Sequence, residues 1–363
     1  MKKVLKIILW VVVIIVVLVG GLLAFLSVTE YKPDDVETAS VSSSGEATAA
    51  LAPGDELTVM SWNTGYACLD RDETFIMDGG TGSGSADDET VAANMAGITN
   101  LLSSTDADIY ILQEVDEDSA RSGRVDQRAA YLESIASVRS LGLDSSYAYN
   151  YSCPFVPYPW PPMGRINSGI ETISALPIAS AERMSLPCPF DWPLRTANLK
   201  RCLLASYFEL EGTDAQLVVV NLHLEAYDDG AGKAAQTKQL VEFMESEYEK
   251  GNYVIAGGDF NQTFPGCLDV WVFDSVDEWE PGILSEEDLP EGFAFAFDSG
   301  VATCRSLAEV YDGREGFQLY VIDGFILSPN VELVSVEGID AGFEHSDHNP
   351  VLLSVRLGEP AEA

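Results

Sequence analysis

The sequence predicts a mixed α/β protein behind an apolar N-terminal helix, and three patterns carry that expectation. Short runs rich in β-branched and aromatic residues recur along the chain: LTVMSW, DIYILQEV, GIETISAL, CLLASYFEL, AQLVVVNLHL, NYVIAGGDF, YVIDGFILS and PVLLSVRL. Each has the length and composition of a strand. Two segments between them, ETVAANMAGITNLLSST and GKAAQTKQLVEFMESEYEKG, repeat apolar residues at helical spacing, and Gly251 suits a C-terminal cap for the second. The third pattern is the N-terminus, where Val4 to Val28 carries a single charge, Lys6.

That run is long enough to cross the hydrocarbon core of a bilayer and has no polar face. Lys2, Lys3 and Lys6 accompany its start; Glu30, Asp34, Asp35 and Glu37 follow it. The asymmetry places the N-terminus in the cytoplasm and the remainder outside. An uncleaved anchor over residues 1–28 is expected, with a cleaved signal peptide as the alternative. Residues 29–56, rich in Ser, Ala, Thr and Gly, read as a flexible linker. Residues 57–359 then form one catalytic-size domain and residues 360–363 a tail.

The chain is strongly acidic, with 58 Asp+Glu against 20 Lys+Arg. Polyanion binders use basic grooves, so nucleic acid is a disfavoured partner. The six cysteines include no CxxC pair, which argues against a zinc ribbon. Long stretches around residues 71–89, 150–169, 188–202 and 273–300 read as irregular, and loops of that length in compact domains are often functional.

Chemistry concentrates at the exits of the apolar runs. Asn63 follows LTVMSW, Glu114 follows DIYILQ, His223 ends VVVNLH, and Asp259 and Asn261 follow YVIAGG. Asp347 and His348 precede PVLLSV, and the chain has only three histidines. Carboxylate and amide oxygens suit Mg²⁺ or Ca²⁺, and a histidine beside an aspartate suits proton transfer, phosphate contact or metal ligation.

The ordered strings WNTG, LQEVD, NSGIETISALPI, NLHL, GGDFN, VIDGF and SDHNP, which take in Asn63 to Pro350, resemble the endonuclease/exonuclease/phosphatase superfamily, the deoxyribonuclease I-like fold. The resemblance implies two packed, mainly antiparallel mixed β-sheets flanked by helices, a four-layer sandwich, with the site at one end. It implies Mg²⁺ (or Mn²⁺/Ca²⁺) held by Glu114 with Asn63, and by Asp259 if a second metal binds. Asp259 would orient or deprotonate the attacking water, and Asn261 would contact the phosphate. His223 would stabilise the scissile phosphate or protonate the leaving oxygen. His348, supported by Asp347, would act as base, phosphate ligand or second-metal ligand. Asp323 would orient His223. Asn167 and Arg165 would bind substrate phosphate, with Arg121 and Arg124 as weaker candidates. Gly65 stands where the family often has an acidic or amide residue, so that ligand is missing.

The expected protein is a single-pass, membrane-anchored, extracytoplasmic phosphoesterase that hydrolyses a phosphodiester or phosphomonoester of a lipid or small molecule. It is expected to be a monomer. The alternatives are a nuclease on the same side of the membrane and a catalytically silent binding module.

Overall fold

The computed structural model describes residues 1–45, 47–139, 142–228, 230–272 and 279–358, so the expected tail 360–363 lies outside the described residues. Its main strands are β1 (Val36–Thr38), β2 (Ser40–Ser43), β3 (Glu56–Asn63), β4 (Ile109–Asp116), β5 (Asp144–Val156), β6 (Gly164–Ser174) and β7 (Ser180–Ser185). They continue with β8 (Cys202–Glu209), β9 (Gln216–His223), β10 (Tyr253–Asp259), β11 (Ala294–Ala296), β12 (Asp323–Leu327), β13 (Val331–Gly338) and β14 (Val351–Leu357). One seven-stranded sheet has the order β13-β14-β3-β4-β6-β5-β2, and the other β1-β7-β8-β9-β10-β12-β11. The pairs β3–β4 and β9–β10 are parallel, and each sheet is otherwise antiparallel.

Period-two alternation builds three hydrophobic layers. Leu57 and Val59 of β3 and Val219 of β9 point between the sheets, where they share a core with Ile255 and Phe325. On the outer face of the first sheet, Met60 and Trp62 meet α2 (Asp88–Ser104) and α3 (Gln127–Val138). On the outer face of the second, Val218, Val220 and Leu222 meet α4 (Ala231–Glu249). The layers are therefore helix, sheet, sheet, helix, as expected. The best-buried helix positions, Ile98, Leu102, Leu240 and Met244, are all fully enclosed. Each contributes about 1.5–3 kcal/mol, enough to fix helices that would be marginal alone.

Helix starts follow local chemistry: the Asp87 carboxylate accepts from Thr90 N at 2.8 Å and caps α2, and Asp126 caps α3 through Ala129 N at 3.1 Å. Gly251 adopts φ 90° just beyond α4, the left-handed position expected of a terminating glycine. Helix α3 was not anticipated. Its first turns are alanine-rich, and only Gln127, Tyr131 and Ile135 are fully buried, so its apolar stripe is faint.

Two regions differ from expectation. Residues 29–56 are not a plain tether: β1 pairs with β7 at the edge of one sheet, and β2 pairs with β5 at the edge of the other. These strands are Ser- and Thr-rich and mostly exposed, so they lack the apolar alternation that marks a strand in sequence. The proline-aromatic stretch is mostly a hairpin, β5–β6, whose tip spans residues 157–163.

Ahead of the sheets lies α1 (Lys2–Val28), long and apolar enough to cross a membrane. Most of its length is exposed, but Leu26 is 4 % exposed and packs with Tyr151, Val156 and Met163 of the β5–β6 hairpin.

Candidate active site at one end of the sandwich

Strand register assembles the site. Asp259, the last residue of β10, pairs in parallel register with His223 of β9 and in antiparallel register with Asp323 of β12. Three adjacent strands therefore end in one polar row. Across the sandwich, Asn63 ends β3 and its Nδ2 donates to Asp259 Oδ2 at 3.0 Å, which ties the two sheets together. Asp259 Oδ1 accepts from Asn261 N at 2.8 Å, and Asn261 Nδ2 donates to Leu224 O at 2.9 Å. Both imidazoles approach the same carboxylate: His223 Nε2 lies 3.3 Å and His348 Nε2 3.8 Å from Asp259 Oδ2.

The electrostatics separate the two histidines. Asp323 Oδ2 lies 2.8 Å from His348 Nδ1, and this pairing, joined by Asp259, outweighs burial and holds the imidazole protonated well above the usual histidine range. Burial, helped by Arg201 and His348, pushes His223 well below that range, so it is neutral at pH 7. Burial raises Asp259 to about 6. A charged donor, a neutral imidazole and a carboxylate that is ionised near neutrality thus face one point.

Asp323 was expected to orient His223, and Asp347 to support His348. The structure corrects the first: Asp323 holds His348. The register that puts Asp323 beside Asp259 turns its carboxylate toward the loop before β14, where His348 sits. Asp347 lies within electrostatic reach of His348, Arg305 and Glu114, and its Oδ1 faces Gly65. A side chain at Gly65 would be strained by the backbone (φ 52°) and would place its Cβ 2.8 Å from Asp347 Oδ1, so glycine is favoured there. Gly257 and Gly258 likewise make room for the fold: Cβ atoms there would strike the Phe325 ring and Leu222 O.

Glu114 carries the strongest sign of a metal. It interrupts the β4–β6 pairing at a bulge, with φ 55°, a strained value for a residue with a side chain. Its Oε2 is buried, and no hydrogen-bond partner for it exists among the described residues. Burial and the Asp347 carboxylate push its pKa from 4.5 to about 7. That shift corresponds to a penalty of about 3 kcal/mol on the charged form, which a divalent cation would relieve. Glu114, Asp347 and the Asn63 amide offer only hard oxygen donors, the set that suits Mg²⁺ or a similar ion. A second group, Asp259, Asp323 and His348, brings possible ligand atoms within 4.8 Å of one another. Asp323 Oδ1 there is also without a hydrogen-bond partner among the described residues, but its Oδ2 and Asp259 both have partners, so Glu114 is the better-fitting holder.

Asn63, Glu114, His223, Asp259, Asn261, Asp347 and His348 floor a cavity of about 540 Å³, and Asp323 lies outside its lining. Asn167 and Arg165 are outside its lining. Arg165 is half exposed and its Nε lies 3.4 Å from Asp118 Oδ2. Neighbouring positions on a strand face opposite ways, so Ser168 of β6 enters the cavity in place of Asn167. Arg124 is also spent on Asp118, at the surface. Arg121 does reach the cavity: it is bidentate to Asp116 at 2.9 and 3.0 Å and lies over the Tyr66 ring at 3.4 Å. His345 sits away from the floor, 3.3 Å from Asn94 Oδ1.

The sequence reading missed Tyr227, Asn150 and Arg201, all of which line the cavity. Tyr227 donates to Asp78 at 3.1 Å, and Arg201 donates to His223 O at 3.2 Å. Tyr227, four residues after His223, gave a local signal. Arg201 could be found only through the β8–β9 pairing. The long irregular stretches do ring the mouth, contributing Phe75 and Met77, Tyr158 and Pro159, and Phe190 and Leu194.

Against known families, the chain matches the Endonuclease/Exonuclease/phosphatase family over residues 60–348. It belongs to that family, whose members are generally metal-dependent phosphoester hydrolases. Among curated proteins none matches it. Among solved structures it is similar to an endonuclease/exonuclease/phosphatase from Beutenbergia cavernae (TM-score 0.55, 19% identity, 85% of this chain and 73% of that one). A family protein from Leptotrichia buccalis gives TM-score 0.55 at 11% identity, covering 83% of this chain and 100% of that one. ANGEL2, a 2′,3′-cyclic phosphatase solved with adenosine-2′,3′-vanadate, gives 0.52 at 17% identity, covering 88% and 99%. At these identities the likeness concerns the fold.

Proposed function

We propose that the protein is a divalent-metal-dependent phosphoester hydrolase, anchored by α1 with its catalytic domain outside the cytoplasm. The observation that carries this is the orphaned Glu114 carboxylate beside a floor with one charged and one neutral imidazole. Glu114, with Asn63 and Asp347, would hold the cation, which when bound neutralises phosphate charge and polarises the phosphorus–oxygen bond. Asp259 orients the attacking water and takes its proton, helped by the hydrogen bonds from Asn63 and Asn261. His348, fixed by Asp323, gives a charged hydrogen bond to the phosphate or a proton to the leaving oxygen. His223 contacts a phosphate oxygen from the other side of Asp259.

The substrate is a phosphodiester or phosphomonoester of a lipid or small molecule. The net charge of −38 and the apolar mouth fit a nuclease poorly. The retained floor residues speak against a silent binding module. The test is a panel of phosphomonoesters and diesters offered to the full chain in detergent micelles, with Mg²⁺, Mn²⁺ or Ca²⁺ and with EDTA. Metal-dependent release of phosphate or of an alcohol is expected. No turnover of any ester with any of these ions would remove the reading.

A further inference from the structure

The anchor helix does more than precede the domain. Leu22, Leu23 and Leu26, one face of its last turns, line the same cavity whose floor holds Glu114, Asp259 and His348. The apolar residues nearer the start, from Val4 to Val19, have between 39 and 71 % of their surface exposed. A helix of 27 residues is about 40 Å long, roughly 10 Å more than a hydrocarbon core. The last two turns can therefore lie at the interface while the rest spans.

Around this end the domain presents what an interface selects. Trp160 is 86 % and Trp192 55 % exposed, and the Trp192 indole donates to Ser27 Oγ of α1 at 3.0 Å. Leu194 and Tyr158 are exposed beside them, and both also line the cavity. Trp and Tyr concentrate at the headgroup level of membranes, where an apolar body and a polar tip are both satisfied. Lys200 and Arg195 approach Glu30, two residues beyond the helix, each at 3.5 Å.

We propose that the last two turns of α1 form a wall of the substrate site and that the substrate is a phospholipid still seated in the bilayer. This rests on the phosphoesterase reading of the same floor. A cavity polar at its base and apolar at its mouth fits one kind of ligand: a phosphoester carried on an apolar body. The leucine wall makes the path from acyl region to floor continuous, so the lipid need not leave the membrane. Water oxygen bonds to phosphorus, the ester phosphorus–oxygen bond breaks, and the leaving oxygen takes a proton, which yields an alcohol and a phosphate.

The test uses the full chain reconstituted in vesicles of phosphatidylcholine, phosphatidylglycerol and phosphatidate, doped with a phospholipid carrying a diazirine on its acyl chain. Illumination should crosslink the peptides that contain Leu22–Leu26 and residues 157–163, in the wild type and in Glu114→Gln alike. With Mg²⁺, at least one vesicle phospholipid should be cleaved, with kcat/KM about 100-fold or more above that for its deacylated glycerol phosphoester, the effect of burying a few methylenes. Cleavage of the soluble ester without lipid cleavage and without the crosslinks overturns the lipid assignment and leaves the phosphoesterase standing. Lipid cleavage with crosslinks confined to other peptides overturns the role of α1. Crosslinks at both peptides with no hydrolysis of any ester support the lipid wall but overturn the phosphoesterase reading and, with it, the phospholipid as substrate.

Discussion

The floor and the mouth of the cavity are built by opposite means. The floor comes from strand ends, where register within one sheet fixes His223, Asp259 and their neighbour Asp323 in one row and a hydrogen bond joins Asp259 to Asn63 of the other sheet. The mouth comes from a hairpin tip, two long connections and the end of α1, held by apolar contact. The difference teaches where each property resides. A rigid polar floor sets what bond can be attacked, and the mouth sets what can reach it.

Substitutions at the floor should cost turnover without costing the fold. Asp259→Asn is expected to have the largest effect, a fall in kcat of about 10³-fold or more, because it removes the group that receives the water's proton. Circular dichroism should stay native, and a variant within tenfold of wild type would place the base elsewhere. Asp323→Asn should cost about 10²-fold in kcat, since it removes the negative charge beside His348 Nδ1 while leaving the imidazole in place. An unchanged kcat would mean that His348 needs no charge beside it.

At the mouth the expected effects are smaller and of another kind. Trp160→Ala removes a side chain that is 86 % exposed, so the melting temperature should stay within about 1 °C. Partition of the protein's catalytic domain onto vesicle surfaces, read by brominated-lipid quenching of the remaining tryptophans, should weaken. Unchanged quenching together with a large fall in melting temperature would instead assign Trp160 to the domain's own packing.

Behind the floor, Glu171 on β6 sharpens the contrast by touching stability alone. Its Oε1 accepts from Ser145 Oγ, and burial pushes its pKa from 4.5 to about 8. Between those values the folded state holds a proton that the unfolded state has lost. Stability is therefore full below about pH 4.5 and falls as pH rises, by up to about 1.4 kcal/mol per pH unit, until pH 8. Glu171→Gln should flatten that slope in denaturant titrations between pH 5 and 8. A slope equal to the wild type's would show that Glu171 is ionised in the folded protein.

The same contrast explains what could be read from the sequence. Asn63, Glu114, His223 and Asp259 each sit at the exit of an apolar run and His348 at the entry of one, so short strings identify them and the order of the strings identifies the fold. Asn167 failed because one step along β6 changes the face, and parity cannot be read without a register. The partner of His348 failed because it depends on which strands are neighbours. The edge strands at residues 36–43 were hidden by their exposed Ser and Thr side chains. The leucine wall was hidden because an apolar helix looks the same whether its end faces lipid or protein.

The central claim is that the floor works through a cation held at Glu114, and one paired titration tests it most directly. Mg²⁺ is titrated into the full chain in detergent micelles, with binding read by calorimetry and turnover of a phosphoester that the panel has identified read in parallel. Wild type should show a single midpoint shared by binding and turnover, and Glu114→Gln, with its fold intact, should lose both by about 10²-fold or more. Full turnover in excess EDTA, or a Glu114→Gln variant that binds Mg²⁺ and turns over as the wild type does, would contradict the account.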